Sequence, residues 1–174
     1  MFDKLLDLII TFGEQLLPFF VVKEYQEAVV LRFGHFNSVK KTGIYFKVPF
    51  ADETILQHTV VTTLNCSAQS LVTLDRKELT VESVVKYRID DVKKYILEIF
   101  DATDAIQDIT QSVIKKQIMT KTLEEIYDND LDTEITRKVR AEVRKYGITV
   151  EQITLITLGQ IKSYRLIGEL PGIS

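Results

Sequence analysis

Side chains that could carry chemistry are few in this chain. Its 174 residues include two histidines and one cysteine: His35, His58 and Cys66. Each histidine stands alone, without the HxH or HExxH spacing that builds a zinc site. A single cysteine cannot form an internal disulfide. These residue types therefore predict neither a metal site nor a nucleophile–base pair.

Adjacent carboxylates are the other candidates for acid–base chemistry. They occur at Asp90-Asp91 and at Glu124-Glu125. Neighbours at a strand end or a helix start point in different directions, so neither pair is expected to share a substrate. The sequence also has no nucleophile elbow, phosphate loop or dinucleotide-binding motif. It predicts a protein that is not an enzyme, with no catalytic residue, no cofactor and no small-molecule substrate.

The charge balance narrows the class of partner. The formal net charge is −3, hydrophobic residues make up 45% and charged residues 27%. That composition is ordinary for a globular domain and too acidic for general nucleic-acid binding. We therefore expect no nucleic-acid partner.

The first 22 residues, MFDKLLDLIITFGEQLLPFFVV, are strongly apolar. Charges interrupt the run too often for a spanning helix, which needs about 20 mainly apolar residues. The acidic start and the lack of a small-residue cleavage site do not fit a secretory signal. On a helix of about 100° per residue, the polar side chains of residues 2–17 fall within roughly 120°. Pro18 then ends or kinks the helix.

We interpret this segment as an amphipathic helix lying in the interface of a bilayer. The alternative is a helix packed on the protein's own core, but the apolar arc is wider than one-sided packing needs. The polar face carries almost no positive charge, so insertion would depend on buried apolar area. The residues predicted to bind membrane are Phe2, Leu5, Leu6, Ile9, Phe12, Leu16, Phe19 and Phe20.

Strand patterns dominate the chain up to residue 90. The predicted strands lie at 25–33, 44–49, 54–65, 69–74 and 79–89, the last two forming a hairpin around residues 75–78. In the second arm of the hairpin, alternation predicts one buried face. Its members are Leu79, Val81, Ser83, Val85, Tyr87 and Ile89. This part is expected to be an antiparallel, half-solvated sheet.

Helical patterns follow. Helices are predicted at 92–100, 102–119 and 132–146, with a short one opened by a capping box at 122–125. Gly147 is expected to end the last helix in the left-handed conformation, and 148–158 return to strand. The predicted fold class is α+β: an antiparallel sheet half, then a helix-and-strand half.

Five segments of the chain form an ordered series. They are KEYQEAVVLRFGHF at 23–36, TGIYFKVPF at 42–50, the hairpin pattern TLD…YR at 73–88, SVI…TLEEI at 112–126 and RKYGITV at 144–150. In that order they resemble the SPFH (stomatin, prohibitin, flotillin), or band 7, family, and stomatins in particular. Thr42 and Val92 stand where the family usually has proline.

The resemblance implies a two-part α+β domain with a membrane-attached N-terminus and no family-defining catalytic residues. We divide the chain into a membrane-associating segment at 1–22, a sheet-rich half at 23–90, a helix-rich half at 91–166 and a tail at 167–174. No heptad pattern follows the last strand before Ser174, although family members usually continue into a coiled coil. A compact family member or a fragment is therefore expected.

The implied function is a membrane-associated scaffold that self-oligomerises into rings or cages and organises a membrane microdomain. It would be peripheral or monotopic, on the cytoplasmic face, with the lipid membrane and its own copies as partners. One alternative is an accessory or regulatory subunit of a membrane protease or channel. Another is a soluble, vault-like shell subunit.

Two charged stripes are candidate contacts between protomers. Three arginines recur on the last predicted helix and three aspartates near the start of the long one: Arg137, Arg140, Arg144, Asp101, Asp104 and Asp108. The plainer interpretation is two solvated helix faces, with the acids favoured near a helix N-terminus. The hypothesis is that one stripe meets the other across a ring interface.

Overall fold

The computed structural model describes residues 18–128 and 130–160 of the chain. The helix predicted at 2–17 and the tail predicted at 167–174 lie outside these residues. The strands are β1 Phe19–Val22, β2 Gln26–Arg32, β3 His35–Lys40, β4 Gly43–Phe46, β5 Asp52–His58, β6 Thr62–Val72, β7 Glu78–Ile89 and β8 Ile148–Gln160. The helices are α1 Val92–Leu97, α2 Ala102–Met119, α3 Leu123–Asp128 and α4 Leu131–Val143, with a 3₁₀ turn at Arg144–Tyr146. The arrangement is a sheet-rich α+β fold, as the fold class predicted.

The first five strands form two small antiparallel sheets. Strands β1 and β4 make a two-stranded ribbon, and the second sheet has the order β3-β2-β5. Strand β2 is central because Ala28, Val29 and Val30 are buried on both of its faces. Val29 joins the main hydrophobic core, whereas Ala28 and Val30 on the opposite face do not. The ribbon strand β1 contacts β2.

The main core lies between the third sheet and the helices. The sheet has the order β6-β7-β8, and α2 and α4 pack on it and on each other. Every residue of the predicted inward face of β7 is buried, including Ser83. Alternation alone therefore identified which face of this strand turns inward. Since β8 pairs with β7, strands from both sides of residue 90 share this sheet.

The predicted helix starts are confirmed. The Asp101 carboxylate accepts the Asp104 amide at 3.1 Å and caps α2. At α3, the Thr122 amide donates to the Glu125 carboxylate at 2.8 Å, and the Glu125 amide donates to the Thr122 hydroxyl at 3.4 Å. This is the reciprocal capping box that the sequence predicted.

Gly147 is required where the last helix turns into β8. Its φ is +75°, and a Cβ there would stand 2.3 Å from the Asp91 carbonyl oxygen. The Gly147 carbonyl accepts the amides of Asp90 and Asp91 at 2.9 and 3.1 Å. The predicted left-handed termination is thus confirmed, and the glycine also fits the close approach of a second chain segment.

Several boundaries differ from prediction. The helix predicted at 92–100 ends at Leu97, the strand predicted at 44–49 ends at Phe46, and Phe19–Val22, which were not predicted as a strand, form β1. The strand predicted at 54–65 is two strands, because the chain leaves one sheet after His58 and enters another at Thr62. Residues 35–40, which were not predicted as a strand, form β3 by pairing with β2. The α-helix predicted at 132–146 ends at Val143 and tightens into a 3₁₀ turn, as last turns often do.

Candidate functional site

One face of the β1–β4 ribbon is apolar and uncovered by any described residue. Phe19 pairs with Phe46, and Val21 with Ile44. Paired residues lie on the same side of a sheet, so these four side chains share one surface, which we call the outer ribbon face. Their exposed fractions are 54%, 72%, 54% and 74% in that order. Single exposed apolar side chains are ordinary, but a contiguous patch marks a site of interaction.

The inner face of the ribbon is occupied. Val22 is 1% exposed, and the rings of Phe20 and Tyr45 lie 5.8 Å apart at 33°. Both ribbon faces are therefore apolar, and the protein's own fold covers one of them. Of the two aromatic residues assigned to membrane binding in this strand, Phe19 lies on the outer ribbon face and Phe20 on the inner one.

Two further phenylalanines stand at the end of the ribbon. Phe33 and Phe50 are 77% and 75% exposed, with φ angles of +50° and +64°. Positive φ is uncommon for a bulky residue and costs of order 1–3 kcal/mol, so it persists only where surrounding contacts enforce it. Phe19, Phe33, Phe46 and Phe50 together are called the phenylalanine corner below.

An ion pair holds this corner in shape. Arg32 donates to both carboxylate oxygens of Asp52, at 2.7 and 3.0 Å. The Val48 amide donates to Asp52 Oδ2 at 2.9 Å, and the Phe33 amide to the Ala51 carbonyl at 2.8 Å. The bond from Arg32, followed by that from Val48, lowers the pKa of Asp52 to about 2. The carboxylate thus fixes the turns that carry Phe33 and Phe50.

Pro18, the first described residue, lies at the same corner. The Lys47 amide donates to the Pro18 carbonyl at 2.7 Å, directly beside the Phe19–Phe46 pair. Lys47 also lines an open cleft of about 480 Å³ whose walls carry Phe33 and Phe50. Of the predicted membrane residues, Phe2, Leu5, Leu6, Ile9, Phe12 and Leu16 lie outside the described part of the chain.

The arginine stripe is only partly available to a partner. Arg137, Arg140 and Arg144 are all exposed. However, Arg140 Nε donates to the Val150 carbonyl at 2.6 Å, and its Nη2 to the Glu151 carbonyl at 2.8 Å. Arg140 therefore binds the edge of β8 within its own chain.

The aspartate stripe is exposed as well. Asp101, Asp104 and Asp108 lie at the start of α2, and Asp101 also caps it. Asp101 is thus explained by its role as the helix cap. The carboxylates of Asp104 and Asp108 are exposed to solvent. An interface through the two stripes stays a prediction.

Catalytic groups do not gather in the part of the chain that the structure describes. His58 lies 3.0 Å from the Gln26 amide nitrogen, far along β5 from the phenylalanine corner. Cys66 is buried, and burial raises the pKa of its thiol. Among the described residues no group of three or more potential metal ligands occurs. Nor is any helix within 18–128 and 130–160 both long and apolar enough to cross a bilayer.

Sequence reasoning missed most of the exposed apolar surface. Val21, Ile44 and Phe46 lie in short strands whose pattern shows alternation but not which face stays uncovered. Phe33 precedes Gly34 and Phe50 follows Pro49, so both stand beside turn residues. A large aromatic residue next to a glycine or proline of a turn is the signal that could have found them.

Comparison with known families now identifies the fold. A sequence profile of the SPFH domain / Band 7 family matches residues 20–162. The match covers most of the chain, and the protein belongs to the SPFH domain / Band 7 family. The resemblance drawn from the five segments is confirmed.

Individual relatives are more distant. The chain is 27% identical to Protein HflC of Buchnera aphidicola over 157 residues, or 83% of this chain and 51% of that protein. It is 28% identical to Stomatin-1 of Caenorhabditis elegans over 138 residues, or 78% and 42%. An uncharacterized protein of Archaeoglobus fulgidus is 26% identical over 137 residues, or 78% and 55%. The chain thus spans about half the length of these curated relatives.

Proposed function

We propose that this protein is a non-enzymatic, self-oligomerising scaffold attached to a membrane surface. In this proposal the outer ribbon face, the phenylalanine corner and the N-terminal amphipathic segment enter one bilayer together. Attachment would be peripheral or monotopic, on the cytoplasmic face. The organisation of a membrane microdomain would follow from many such copies side by side.

The observation that carries the proposal is the uncovered apolar ribbon at the point where the N-terminal segment joins. Fully burying one Phe, Leu or Ile side chain contributes roughly 1.5–3 kcal/mol. The four side chains of the outer ribbon face are each more than half exposed, so a bilayer can still bury much of their area. A helix at 2–17 that inserts through its apolar arc would bring this face to the same lipid surface.

Self-association has its own support. Strands β3 and β5 are the edges of their sheet, and unpaired edges invite a neighbouring strand. The exposed side chains of Arg137 and Arg144 on one surface and of Asp104 and Asp108 on another supply complementary charge. A single exposed pair contributes only about 0–1 kcal/mol, so the interface would depend on repetition around a closed ring.

The alternatives differ in what covers the outer ribbon face. In a soluble, vault-like shell a second copy would cover it, and no lipid would be needed. In an accessory subunit of a membrane protease or channel, lipid and partner would share it. The family resemblance alone supports the existence of such a protein partner.

Vesicle flotation of the full chain tests the proposal. The double variant Ile44→Asp, Phe46→Asp places two charges on the outer ribbon face. It should lower the vesicle–water partition coefficient by at least about tenfold, because each replaced side chain no longer buries its apolar area in the bilayer. Ile9→Asp should have a comparable effect through the N-terminal helix.

The matched control is Val72→Asp, Leu74→Asp, which alters two exposed apolar residues at the same spacing in and just after β6. It should float like wild type. Urea unfolding of all variants checks that they are folded. Wild-type protein that fails to float while forming large soluble particles supports the shell instead. Light scattering in mild detergent should give a mass many times 20.0 kDa, and a monomer at micromolar concentration would exclude the scaffold.

A further inference from the structure

We propose that strand β6 is an assembly edge, at which residues 62–66 of one copy pair antiparallel with the same residues of a second copy across a two-fold axis. This inference rests on the proposed function, because it names a contact through which copies of the scaffold associate. Strand β6 is 11 residues long and lies at one edge of the main sheet, whose order is β6-β7-β8. Among the described strands it pairs with β7 alone. Its other edge therefore offers backbone N–H and C=O groups to a further strand.

The opposite edge of the same sheet is closed by side chains of α4. The Asp132 carboxylate accepts the Leu155 amide at 3.3 Å, and Thr136 Oγ accepts the Ile153 amide at 2.9 Å. Arg140 continues this series at a spacing of four residues and binds two carbonyls of the same strand. Backbone groups that bond to α4 are not available to another strand. This stretch of β8 is therefore protected against a neighbour.

The edge of β6 has no such cover along residues 62–66. Helix α2 packs on β6, but Gln111 of this helix donates to the Ser67 carbonyl at 3.3 Å, just beyond the stretch. Apart from pairing with β7, no backbone group in the described chain bonds to residues 62–66. Thr62, Thr63 and Asn65 are exposed. The stretch is thus open where β8 is closed.

Strand β6 also lacks the residues that usually protect an exposed edge, which are charged side chains and proline. Its sequence, TTLNCSAQSLV, contains neither. Its bulge begins only after Cys66, so residues 62–66 are regular. By comparison, edge strand β3 ends in Lys40, and β5 begins with Asp52 and Glu53. Strand β6 is therefore less protected than either of these edges.

The regular stretch is complementary to itself. A two-fold axis at Leu64, its midpoint, places Thr62 opposite Cys66 of the second copy and Thr63 opposite Asn65. The two residues of every pair differ by an even number of positions, so outward backbone groups of one copy meet outward groups of the other. No pair brings like charges together, which would destabilise the sheet. Leu64 is partly buried against the main core, and contact with its own copy would bury it further.

The apolar surface beside this edge supports the same contact. Val60 and Val61 directly precede β6 and are 50% and 49% exposed. In the register centred on Leu64 they approach the bulge of the second copy, where their burial adds to the backbone hydrogen bonds. A two-fold contact is complete with two copies. It therefore makes a dimer, and a larger assembly needs a second contact such as the charged stripes.

Disulfide cross-linking of the full chain in mild detergent tests the register, in a Cys66→Ala background that removes the native thiol. Opposed residues of an antiparallel pair have Cα atoms about 4.5–5.5 Å apart, within the roughly 4.4–6.8 Å that a disulfide spans. A mixture of Thr63→Cys and Asn65→Cys chains should therefore form a covalent dimer that links the two kinds of chain, identified by the mass of the linked peptide. Thr63→Cys alone should cross-link at least about fivefold less, because its two copies are offset by two residues along the strands. Ser70→Cys, exposed in the same strand beyond the bulge, is the matched control and should not cross-link.

Charge substitutions test whether this edge drives association. Thr63→Lys, Asn65→Lys places two lysines opposite each other in each mixed pair and should weaken association in sedimentation by at least about tenfold. Thr63→Lys, Asn65→Glu places opposite charges there and should restore it. Ser70→Lys, Val72→Lys has the same spacing in the same strand, on exposed residues, and should sediment like wild type. Urea unfolding checks that each variant is folded.

The results separate this contact from the proposed function. If the mixed cysteine chains fail to cross-link, or if the two-lysine variant associates like wild type, the β6 edge is not an interface, while flotation and a large wild-type mass would leave the scaffold intact. Equal cross-linking by Thr63→Cys alone or by Ser70→Cys would overturn the register centred on Leu64. A wild type that is monomeric in detergent would contradict the scaffold itself together with this contact.

Discussion

The two ends of the described chain use apolar side chains in opposite ways. From β6 onward, sheet and helices enclose nearly all of the large core, and β7 buries every second residue. The region before residue 62 holds most of the large apolar side chains that are exposed, including all four of the phenylalanine corner. Apolar surface left uncovered by the fold offers a binding surface. We therefore expect the region from β6 onward to provide most of the folding stability. The region before residue 62 is the one that the proposed function assigns to contact with a membrane.

The largest expected effect comes from comparing a buried isoleucine of the core with an exposed isoleucine of the ribbon. Ile135 is 0% exposed in the core, and Ile44 is 74% exposed on the outer ribbon face. Ile135→Ala should lower the free energy of unfolding by about 2–5 kcal/mol through lost burial and a cavity. Ile44→Ala should change it by less than about 0.5 kcal/mol. Urea unfolding measures both, and equal losses would mean that the ribbon is part of the folding core.

Backbone strain sharpens the comparison. Gly147→Ala places a Cβ 2.3 Å from the Asp91 carbonyl, whereas a Cβ on Gly34 meets nothing within 4 Å. Both glycines have positive φ, at +75° and +78°, so the two substitutions share the conformational cost of about 1–2 kcal/mol. Gly147→Ala should cost more than Gly34→Ala in thermal unfolding, because it adds a steric clash. Similar losses would show that the Asp91 segment moves away freely.

Acid should weaken the two regions separately. The pKa of Asp52 is lowered to about 2 by Arg32, and the pKa of Glu134 to about 2 by Lys121 and then Lys138. A lowered folded pKa gives stability that is complete above the unfolded value, near 4, and that disappears as the pH falls towards 2. Wild type should therefore lose stability over this window.

Variants assign that loss to each region. Asp52→Asn should flatten the pH dependence of hydrogen exchange at the Phe33 amide, which bonds Ala51 beside this carboxylate. Glu134→Gln should flatten the pH dependence of global unfolding, since α4 packs into the main core. Unchanged pH profiles in both variants would contradict the two ion-pair assignments.

The smallest effect concerns the arginine stripe. Arg140→Gln removes two hydrogen bonds to β8 carbonyls and should cost about 1 kcal/mol in unfolding free energy. Arg137→Gln, one turn away and without such bonds, should leave stability unchanged. For assembly, Arg137→Glu should weaken sedimenting oligomers at low salt, and adding Asp104→Arg should partly restore them. If Arg137→Glu sediments like the wild type, the arginine stripe is ordinary solvated surface.

Local patterns in the sequence determined much of the fold. The buried face of β7, the capping box of α3 and the left-handed Gly147 were all predicted correctly. Each depends on residues within a few positions of one another, where periodicity and capping chemistry operate directly. The family followed from five segments in order, because a series of matches is far more specific than any one of them.

Long-range packing decided the candidate site. Whether Phe19, Phe20, Ile44 or Tyr45 is exposed depends on which ribbon face turns towards β2, and alternation within a short strand is the same for both faces. Phe33 and Phe50 line one cleft, at the place where the Arg32–Asp52 pair joins two turns that are distant in sequence. The sequence pattern placed Arg140 on a charged surface stripe, but in the structure it donates to a carbonyl of β8, because β8 lies beside α4. The sequence by itself determined most of the helices and strands, the buried face of β7 and the family, because those follow from local chemistry. Only the tertiary structure decided which apolar surface stays uncovered, because exposure depends on what packs against it.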